Sequence, residues 1–273
     1  MIPAPFDFVR ADNAEAALSA LAEHGDEAKL LAGGQSLLPL MKLRLATPAV
    51  LVDVSRARDL AYVRRNADHV AIGALTRHCD LARDETVKSE LPMLAHVASL
   101  VGDPQVRHRG TLGGSVAHSD PSADLPTALL ALGASYVVRG PQGERVVAAD
   151  DFATGFLESV LEPDELLTEL RVPLGVSGWG YEKFTRRAID WATVAVAVVR
   201  RGSGVTVALA NMGATVLRAA AVEAALAGGA AASDAAQHAD EGTEPGTDVT
   251  ASADYRRHLA RVLTGRALAA AGG

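Results

Sequence analysis

The sequence predicts an α+β fold in two parts, a larger N-terminal domain and a small C-terminal domain with a short antiparallel sheet and helices. Up to about residue 173, short apolar runs alternate with segments of helical spacing. Three β-rich runs joined by short turns follow. The stretch from Leu174 to Trp179 separates the two patterns. We therefore expect domains at 1–176 and 177–273, with subdomains of about 1–56 and 57–176 in the first.

Composition narrows the class of protein. The chain has 273 residues, 49% of them hydrophobic, which is enough for a sizeable core. Its 26 basic and 33 acidic residues give a net charge of −7, which argues against a nucleic-acid surface. Cys79 is the single cysteine, so no internal disulfide is possible and a reducing, cytoplasmic setting is expected. We expect neither a signal peptide nor a membrane span, because no apolar run approaches the ~18 residues of a span.

The first elements are a helix, a strand, a glycine turn, a second helix and a second strand. Asp12 or Asn13 can cap a helix that Gly25 ends. The run AKLLAG is a strand, and AVLVDVS is another, buried one. Between them, Ser36 can cap a helix from Leu37 to about Leu43.

The middle of the chain combines regular elements with a long polar segment. We expect a strand at 69–76, a helix at 89–101 interrupted early by a proline, a hairpin around 141–143 and a strand ended by Pro173. From Gly102 to Pro126 the chain is rich in Gly, Pro, Asp, Ser and His, which predicts a loop. So long a loop in a compact domain is usually functional.

The C-terminal part is predicted to contain three strands and two helices. The strands are YEKFTRR, ATVAVAVVRR and GVTVALANMG, and a helix from about Leu217 to Leu226 follows them. Residues 228–252 are rich in Ala, Gly, Asp and Thr, which predicts a mobile acidic loop. The run ADYRRHLARVLTGRALAAA predicts a closing helix with basic residues on one face.

Two glycine turns carry the functional signal. The first, AGGQS, lies between a strand and a helix. Its two glycines have no side chain, so a phosphate can approach the backbone N–H groups. It is neither of the named nucleotide fingerprints, and a plain tight turn fits equally well. The second, TLGGS, is another small turn rich in hydrogen-bond donors. Two such turns facing each other could bind a pyrophosphate from both sides. The glycines are expected to leave the phosphate's space open.

Polar residues after the second turn admit two interpretations. Asp124 precedes a helix, so it fits an N-cap as well as a ligand contact. His118 and Asp120 fit solvated loop polarity better than catalysis. Arg186 and Arg187 fit either a site or a solvated strand face.

Three motifs, AGGQSLLPLMKLRL, HRGTLGGSVAHSDPSADLP and KFTRRAIDWATVAVAV, together resemble the FAD-binding medium subunit of the molybdenum hydroxylases. That family includes carbon monoxide dehydrogenase and the separate-subunit bacterial relatives of xanthine dehydrogenase. The resemblance runs nearly end to end. It implies a two-subdomain FAD-binding domain of the vanillyl-alcohol-oxidase (PCMH) type followed by the small α+β C-terminal domain.

The resemblance also implies which residues hold FAD. Asp124 matches an acidic residue that contacts the flavin moiety, Leu167 a residue beside the isoalloxazine, and Lys183 a lysine near the flavin. The residues that match the two FAD loops of the family are Ala32, Gly33, Gly34, Gln35, Ser36, Thr111, Leu112, Gly113, Gly114 and Ser115.

The function implied is electron transfer by a subunit. In the family, a large molybdopterin-binding subunit oxidises the substrate, a small subunit relays electrons through [2Fe–2S] clusters, and the FAD of the medium subunit delivers them to an external acceptor. A dimer of heterotrimers is expected. Without H-E-x-x-H, G-x-S-x-G or a metal-ligand cluster, we assign no catalytic residue and no metal. The alternatives are a free-standing FAD-dependent oxidoreductase of a related fold and a nucleotide-binding scaffold without redox activity.

Overall fold

The computed structural model describes residues 2–272, and its first unit is a parallel three-stranded sheet. The strand order is β1-β3-β2, and the Asn13 side chain caps the first helix by accepting from the N–H of Ala16 at 2.8 Å. The predicted helix and strands are confirmed. The elements are β1 (Asp7–Arg10), α1 (Ala14–His24), β2 (Ala28–Leu31), α2 (Leu37–Lys42) and β3 (Val50–Asp53).

The second unit is an antiparallel five-stranded sheet whose core also contains helical residues. Its strand order is β4-β5-β10-β6-β7, and the predicted hairpin around residues 141–143 joins β6 to β7. The strands are β4 (Val63–Arg65), β5 (His69–Gly73), β6 (Ser135–Gly140), β7 (Gly143–Ala148), the short ribbon β8 (Ala153–Gly155) and β9 (Glu158–Ser159), and β10 (Leu166–Pro173). The helices are α3 (His78–Leu81), α4 (Glu85–Glu90), α5 (Pro92–Leu100), α6 (Pro104–Arg107), α7 (Leu112–His118), α8 (Asp124–Ala131) and α9 (Ala149–Phe152).

The third unit is an antiparallel sheet of order β11-β12-β13-β14, covered by helices. Strand β12 alternates between two cores: Ala195, Ala197 and Val199 face the core of the second unit, while Val196 and Val198 face the C-terminal helices. This explains why its sequence is apolar at every position. The elements are β11 (Gly178–Phe184), β12 (Val194–Arg201), β13 (Gly204–Ala210), β14 (Leu217–Arg218), α10 (Ala220–Ala227), α11 (Ala232–Ala235) and α12 (Ala253–Ala270).

Helix α8 lies between the two larger sheets. All eight of its residues are buried, and one continuous hydrophobic core contains residues of β5, β10, α8, β12 and β13. The second and third units therefore share a core across the predicted boundary.

The segment from Gly102 to Pro126 is not the long loop that its composition predicts. It contains α6 and α7, and α8 begins within it. Asp103 caps α6 by accepting from the N–H of Val106, and Thr111 caps α7 by accepting from that of Gly114. Capping residues, prolines and glycines resemble loop composition when they begin a series of short helices.

Residues 228–252 are not an open acidic loop either. The segment contains α11 and a 3-10 turn, and Ala235, Ala236 and Ala239 are buried in the core under α12. The small apolar side chains pack closely, and acidic residues pair with the last helix: Asp240 bonds Arg261 at 2.6 Å. Composition alone did not reveal this tertiary packing.

The basic residues of α12 do not share one face. Arg256 is only 2% exposed, and its guanidinium bonds the carbonyl oxygen of Thr193, the carboxylate of Asp248 at 2.7 Å and the hydroxyl of Thr250. A buried arginine thus fastens the 228–252 segment to the start of β12. No helix within residues 2–272 is long and apolar enough to cross a membrane.

Replacing this arginine should destabilise the C-terminal unit. We expect Arg256→Met to lower the free energy of unfolding by about 1.5–3 kcal/mol, because a hydrogen bond to a charged group is lost. Urea denaturation measures the change, with Arg266→Met, an exposed position on the same helix, as the matched control. Equal stability of the two variants would contradict this role for Arg256.

Candidate functional site

The first glycine turn presents a row of free backbone donors. Residues 32–36 connect β2 to α2, and Gly34 adopts the left-handed conformation, with φ of +73°. Within residues 2–272, the N–H groups of residues 33–36 donate to no backbone or side-chain acceptor. Successive free N–H groups form a concavity that suits an anion. The turn is therefore more than a change of chain direction.

The side chains of this turn do not use those donors. Ser36 stands at the N-cap position of α2 but makes no capping hydrogen bond, so its predicted capping role is wrong. Its backbone is already helical, with φ −106° and ψ −50°, whereas a capping residue is normally extended. Gln35 is exposed and its side-chain amide donates to the carbonyl oxygen of Gly33 at 3.2 Å.

The second turn uses its backbone donors within the protein. The N–H of Leu112 donates to the carbonyl oxygen of Thr76 at 2.9 Å, and that of Gly113 to the carbonyl oxygen of Ala74 at 2.8 Å. The N–H of Gly114 is taken by Thr111 Oγ1. The turn is thus not the second donor-rich loop that the sequence predicts, since its amides anchor a buried helix.

The first turn packs against the two residues that immediately precede the second turn. A Cβ added to Gly33 would lie 2.3 Å from the carbonyl oxygen of Arg109 and 2.8 Å from the Cα of Gly110. A Cβ added to Gly113 would lie 2.5 Å from that of Ala74. The expected reason for these glycines is therefore corrected: at both positions the missing side chain makes room for neighbouring protein.

Asp124 is the centre of a buried hydrogen-bonded group. Its Oδ1 accepts from the Tyr181 hydroxyl at 2.7 Å, and its Oδ2 accepts from Lys183 Nζ at 2.8 Å. The Asp124 and Lys183 side chains are only 7% and 9% exposed. Residue Ala123 occupies the N-cap of α8, so the interpretation of Asp124 as a helix cap is wrong.

Burial and charge act against each other at this group. The pKa of Asp124 is raised overall, because burial outweighs the charge of Lys183 and the hydrogen bonds from Lys183 and Tyr181, which lower it. Burial and the neighbouring carboxylate raise the pKa of Tyr181 well above its usual value, so the phenol keeps its proton and acts as a hydrogen-bond donor. Two short hydrogen bonds thus hold the Asp124 carboxyl group in place against the cost of its burial.

Leu167 is connected to the second turn through two residues, Thr168 and Ala74. It is 5% exposed on β10, and its neighbour Thr168 accepts from the N–H of Ala74, whose own carbonyl oxygen accepts from Gly113. The strand and the turn are thus held in register. The structure brings the first turn against the two residues before the second, and Asp124 against Lys183.

The remaining polar residues behave as structural or surface groups. Asp120 accepts from the N–H and hydroxyl of Ser122, which closes a local turn. Half-buried His118 has its pKa lowered by burial. Arg186 is exposed and donates to the carbonyl oxygen of Val249 at 3.3 Å. Tyr181 was missed, although its spacing of two from Lys183 on a strand predicts that both side chains share a face.

Residues 4–175 match the family described as the FAD binding domain in molybdopterin dehydrogenase. The chain belongs to this family. Residues 179–271 of the flavoprotein match the CO dehydrogenase flavoprotein C-terminal domain. The predicted order of an FAD-binding domain followed by an α+β C-terminal domain is confirmed, and FAD is the cofactor of the family.

Relatives of known identity cover the flavoprotein from end to end. It is 42% identical to the carbon monoxide dehydrogenase medium chain of Hydrogenophaga pseudoflava, over 99% of this chain and 98% of the relative. It is 35% identical to the caffeine dehydrogenase subunit beta of Pseudomonas sp., over 99% and 96%. The solved carbon monoxide dehydrogenase from Hydrogenophaga pseudoflava superimposes with a TM-score of 0.95, at 43% identity over 100% of this chain and 99% of that one. The flavoprotein is therefore an oxidoreductase subunit.

The residues of the site fit an anionic dinucleotide. Four consecutive free N–H groups suit the diphosphate of FAD, and no neighbouring lysine is needed for them to act. The buried ion pair of Asp124 and Lys183 offers further hydrogen-bonding capacity beyond the bonds already made.

A methyl group at Gly33 should separate the two turns. We expect Gly33→Ala to lose most bound FAD and about 1–3 kcal/mol of stability, because the added Cβ collides with backbone that cannot rotate away. Flavin content and urea denaturation measure both effects. Gly246→Ala is the control, since nothing lies within 4 Å of the added Cβ there. Full flavin content in the Gly33 variant would reject the close contact.

Removing the carboxylate should leave a buried cation without a partner. We expect Asp124→Ala to cost about 3–5 kcal/mol of stability. We also expect FAD affinity to fall about 10- to 100-fold, because a hydrogen bond to a charged group is lost. Glu85→Ala, which breaks an exposed ion pair with Lys88, is the control and should change little. A loss of only about 1 kcal/mol with unchanged affinity would contradict the assignment.

Proposed function

We propose that this flavoprotein is the electron-transfer subunit of a molybdenum-containing hydroxylase. It receives electrons from the [2Fe–2S] clusters of a small subunit and passes them to an external acceptor. Support comes from relatives that are medium chains of carbon monoxide dehydrogenase and a subunit of caffeine dehydrogenase, each covered over nearly its full length. The proposed partners are a large molybdopterin-binding subunit and the small iron–sulfur subunit, in a cytoplasmic dimer of heterotrimers.

The proposed FAD site lies between the FAD-binding domain (1–176) and the C-terminal domain (177–273). The N–H groups of residues 33–36 would bind the diphosphate, and the turn at residues 111–115 would support them through Arg109 and Gly110, which pack against Gly33. Asp124 and Lys183 bind polar atoms of the flavin half, and Leu167 supplies an apolar wall. When bound, the flavin supplies the redox chemistry that side chains lack.

The observation that carries the proposal is the state of Asp124. A general base needs a carboxylate oxygen that is free to take a proton from a substrate. Both oxygens of Asp124 already accept hydrogen bonds, from Tyr181 and Lys183, and the side chain is only 7% exposed. Such a group suits holding a cofactor better than proton transfer from a substrate.

Removing FAD should separate the two half-reactions of the complex. FAD is expected to be released intact by acid or heat, because the sequence has no recognised flavin-attachment motif. In the flavin-free complex, substrate should still reduce the metal centres of the partner subunits, while steady-state transfer to the acceptor collapses. Stopped-flow spectroscopy follows the metal centres directly, and FAD reconstitution is the control. If the iron–sulfur centres stay oxidised after substrate addition, this chain acts upstream of them and the proposal is wrong.

A further inference from the structure

Tyr181 holds the site carboxylate from another domain. It lies on β11 two residues before Lys183, so both side chains leave the same face of the strand. The Tyr181 hydroxyl donates to Asp124 Oδ1 at 2.7 Å and Lys183 Nζ donates to Oδ2 at 2.8 Å. Two donors of one C-terminal strand therefore fix both oxygens of one carboxylate on α8.

The hydroxyl of Tyr181 has a purpose beyond packing. The ring is 8% exposed within the shared core, where a phenylalanine would fill almost the same volume. The core contains a second buried tyrosine for comparison, Tyr136, whose ring packs edge-on against Phe152 with 4.9 Å between centroids. Among residues 2–272, Tyr136 illustrates a tyrosine held by ring packing, whereas Tyr181 is directed by its hydrogen bond.

We infer that Tyr181 is a positioning residue of the FAD site, whose hydroxyl fixes the orientation of the Asp124 carboxylate before the cofactor binds. The inference rests on the proposed function, since it requires Asp124 to contact FAD. Each carboxylate oxygen accepts more than one hydrogen bond, so the two bonds already made leave capacity for the cofactor. A group that is fixed in advance loses less conformational freedom on binding.

The hydroxyl also helps to keep Asp124 ionised. Burial raises the pKa of Asp124 overall. Lys183 and Tyr181 on β11 lower it, and Asp120 before α8 raises it further. Removing the hydroxyl therefore raises the pKa of Asp124. Binding that needs the ionised carboxylate is lost as the pH falls through that pKa, so the loss should begin at a higher pH in the variant.

The test compares Tyr181→Phe with Tyr136→Phe in the full chain. Each substitution removes one hydroxyl from a buried ring of the same core. FAD affinity is measured by titrating flavin-free protein with FAD at several pH values, and stability is measured by urea denaturation. We expect Tyr181→Phe to bind FAD up to about tenfold more weakly at neutral pH, the upper end of the cost of immobilising one side chain on binding. As the pH is lowered, the FAD affinity of Tyr181→Phe should begin to fall at a higher pH than that of the wild type. Tyr136→Phe should match the wild type both in affinity and in the pH at which affinity falls.

Other outcomes distinguish failure of the Tyr181 role from failure of the proposed FAD-binding function. If the wild-type chain binds no FAD, the proposed function fails. If the wild type binds FAD, and Tyr181→Phe has the same affinity and the same acid limb, the function stands and the positioning role is overturned. Equal weakening in both tyrosine variants also overturns it, because the effect then comes from loosened packing.

Discussion

The packing of the C-terminal domain on the FAD-binding domain depends on the buried contact between Asp124 and the Tyr181–Lys183 pair. Two charges inside a protein lose their hydration, and only accurate geometry and additional hydrogen bonds repay that loss. Here the carboxylate belongs to α8 and both donors to β11. The contact therefore forms only when the C-terminal sheet is seated on α8. The contact thus requires both domains, which share one hydrophobic core.

The guanidinium of Arg201 strengthens the same junction. It donates to the carbonyl oxygens of Leu132, Pro173 and Leu174, at 3.1–3.3 Å, and so joins the end of β12 to the chain after α8 and after β10. Burial lowers its pKa, but a guanidinium stays charged at any physiological pH. Carbonyl groups at the ends of buried elements thus receive a partner from across the domain boundary.

The two glycine turns are alike in sequence and different in structure. The N–H groups of the first turn are free, whereas those of the second donate hydrogen bonds to Thr76, Ala74 and Thr111. Because Gly33 rests on Arg109 and Gly110, the anchored turn supports the open one. A rigid support would hold this row of free donors in place, and backbone donors need no positive side chain, which suits the proposed anion site in a chain of net charge −7.

The sequence was sufficient where structure is decided locally. The first helix, the hairpin at 135–148 and strands β12 and β13 follow from capping, turn and alternation patterns. It was insufficient where the structure depends on contacts between residues far apart in the chain. These cases are the short helices within 102–126, the packed 228–252 segment and buried Arg256. Of the site, the family motifs supplied the residues, and the partners of Asp124 emerged only in the fold.

A structure of the chain with FAD bound would show whether the free amides and the Asp124–Lys183 pair form one cofactor site. We expect one FAD, with its diphosphate on the N–H groups of residues 33–36 and its flavin half beside Asp124 and Lys183. Tyr181 should keep its bond to Asp124. An open cavity of about 380 Å³, whose lining includes Arg56, Arg58, Arg77 and Asp80, offers a competing place for an anionic cofactor. A diphosphate bound in that cavity, with the amides of residues 33–36 left free, would show that the proposed site is wrong.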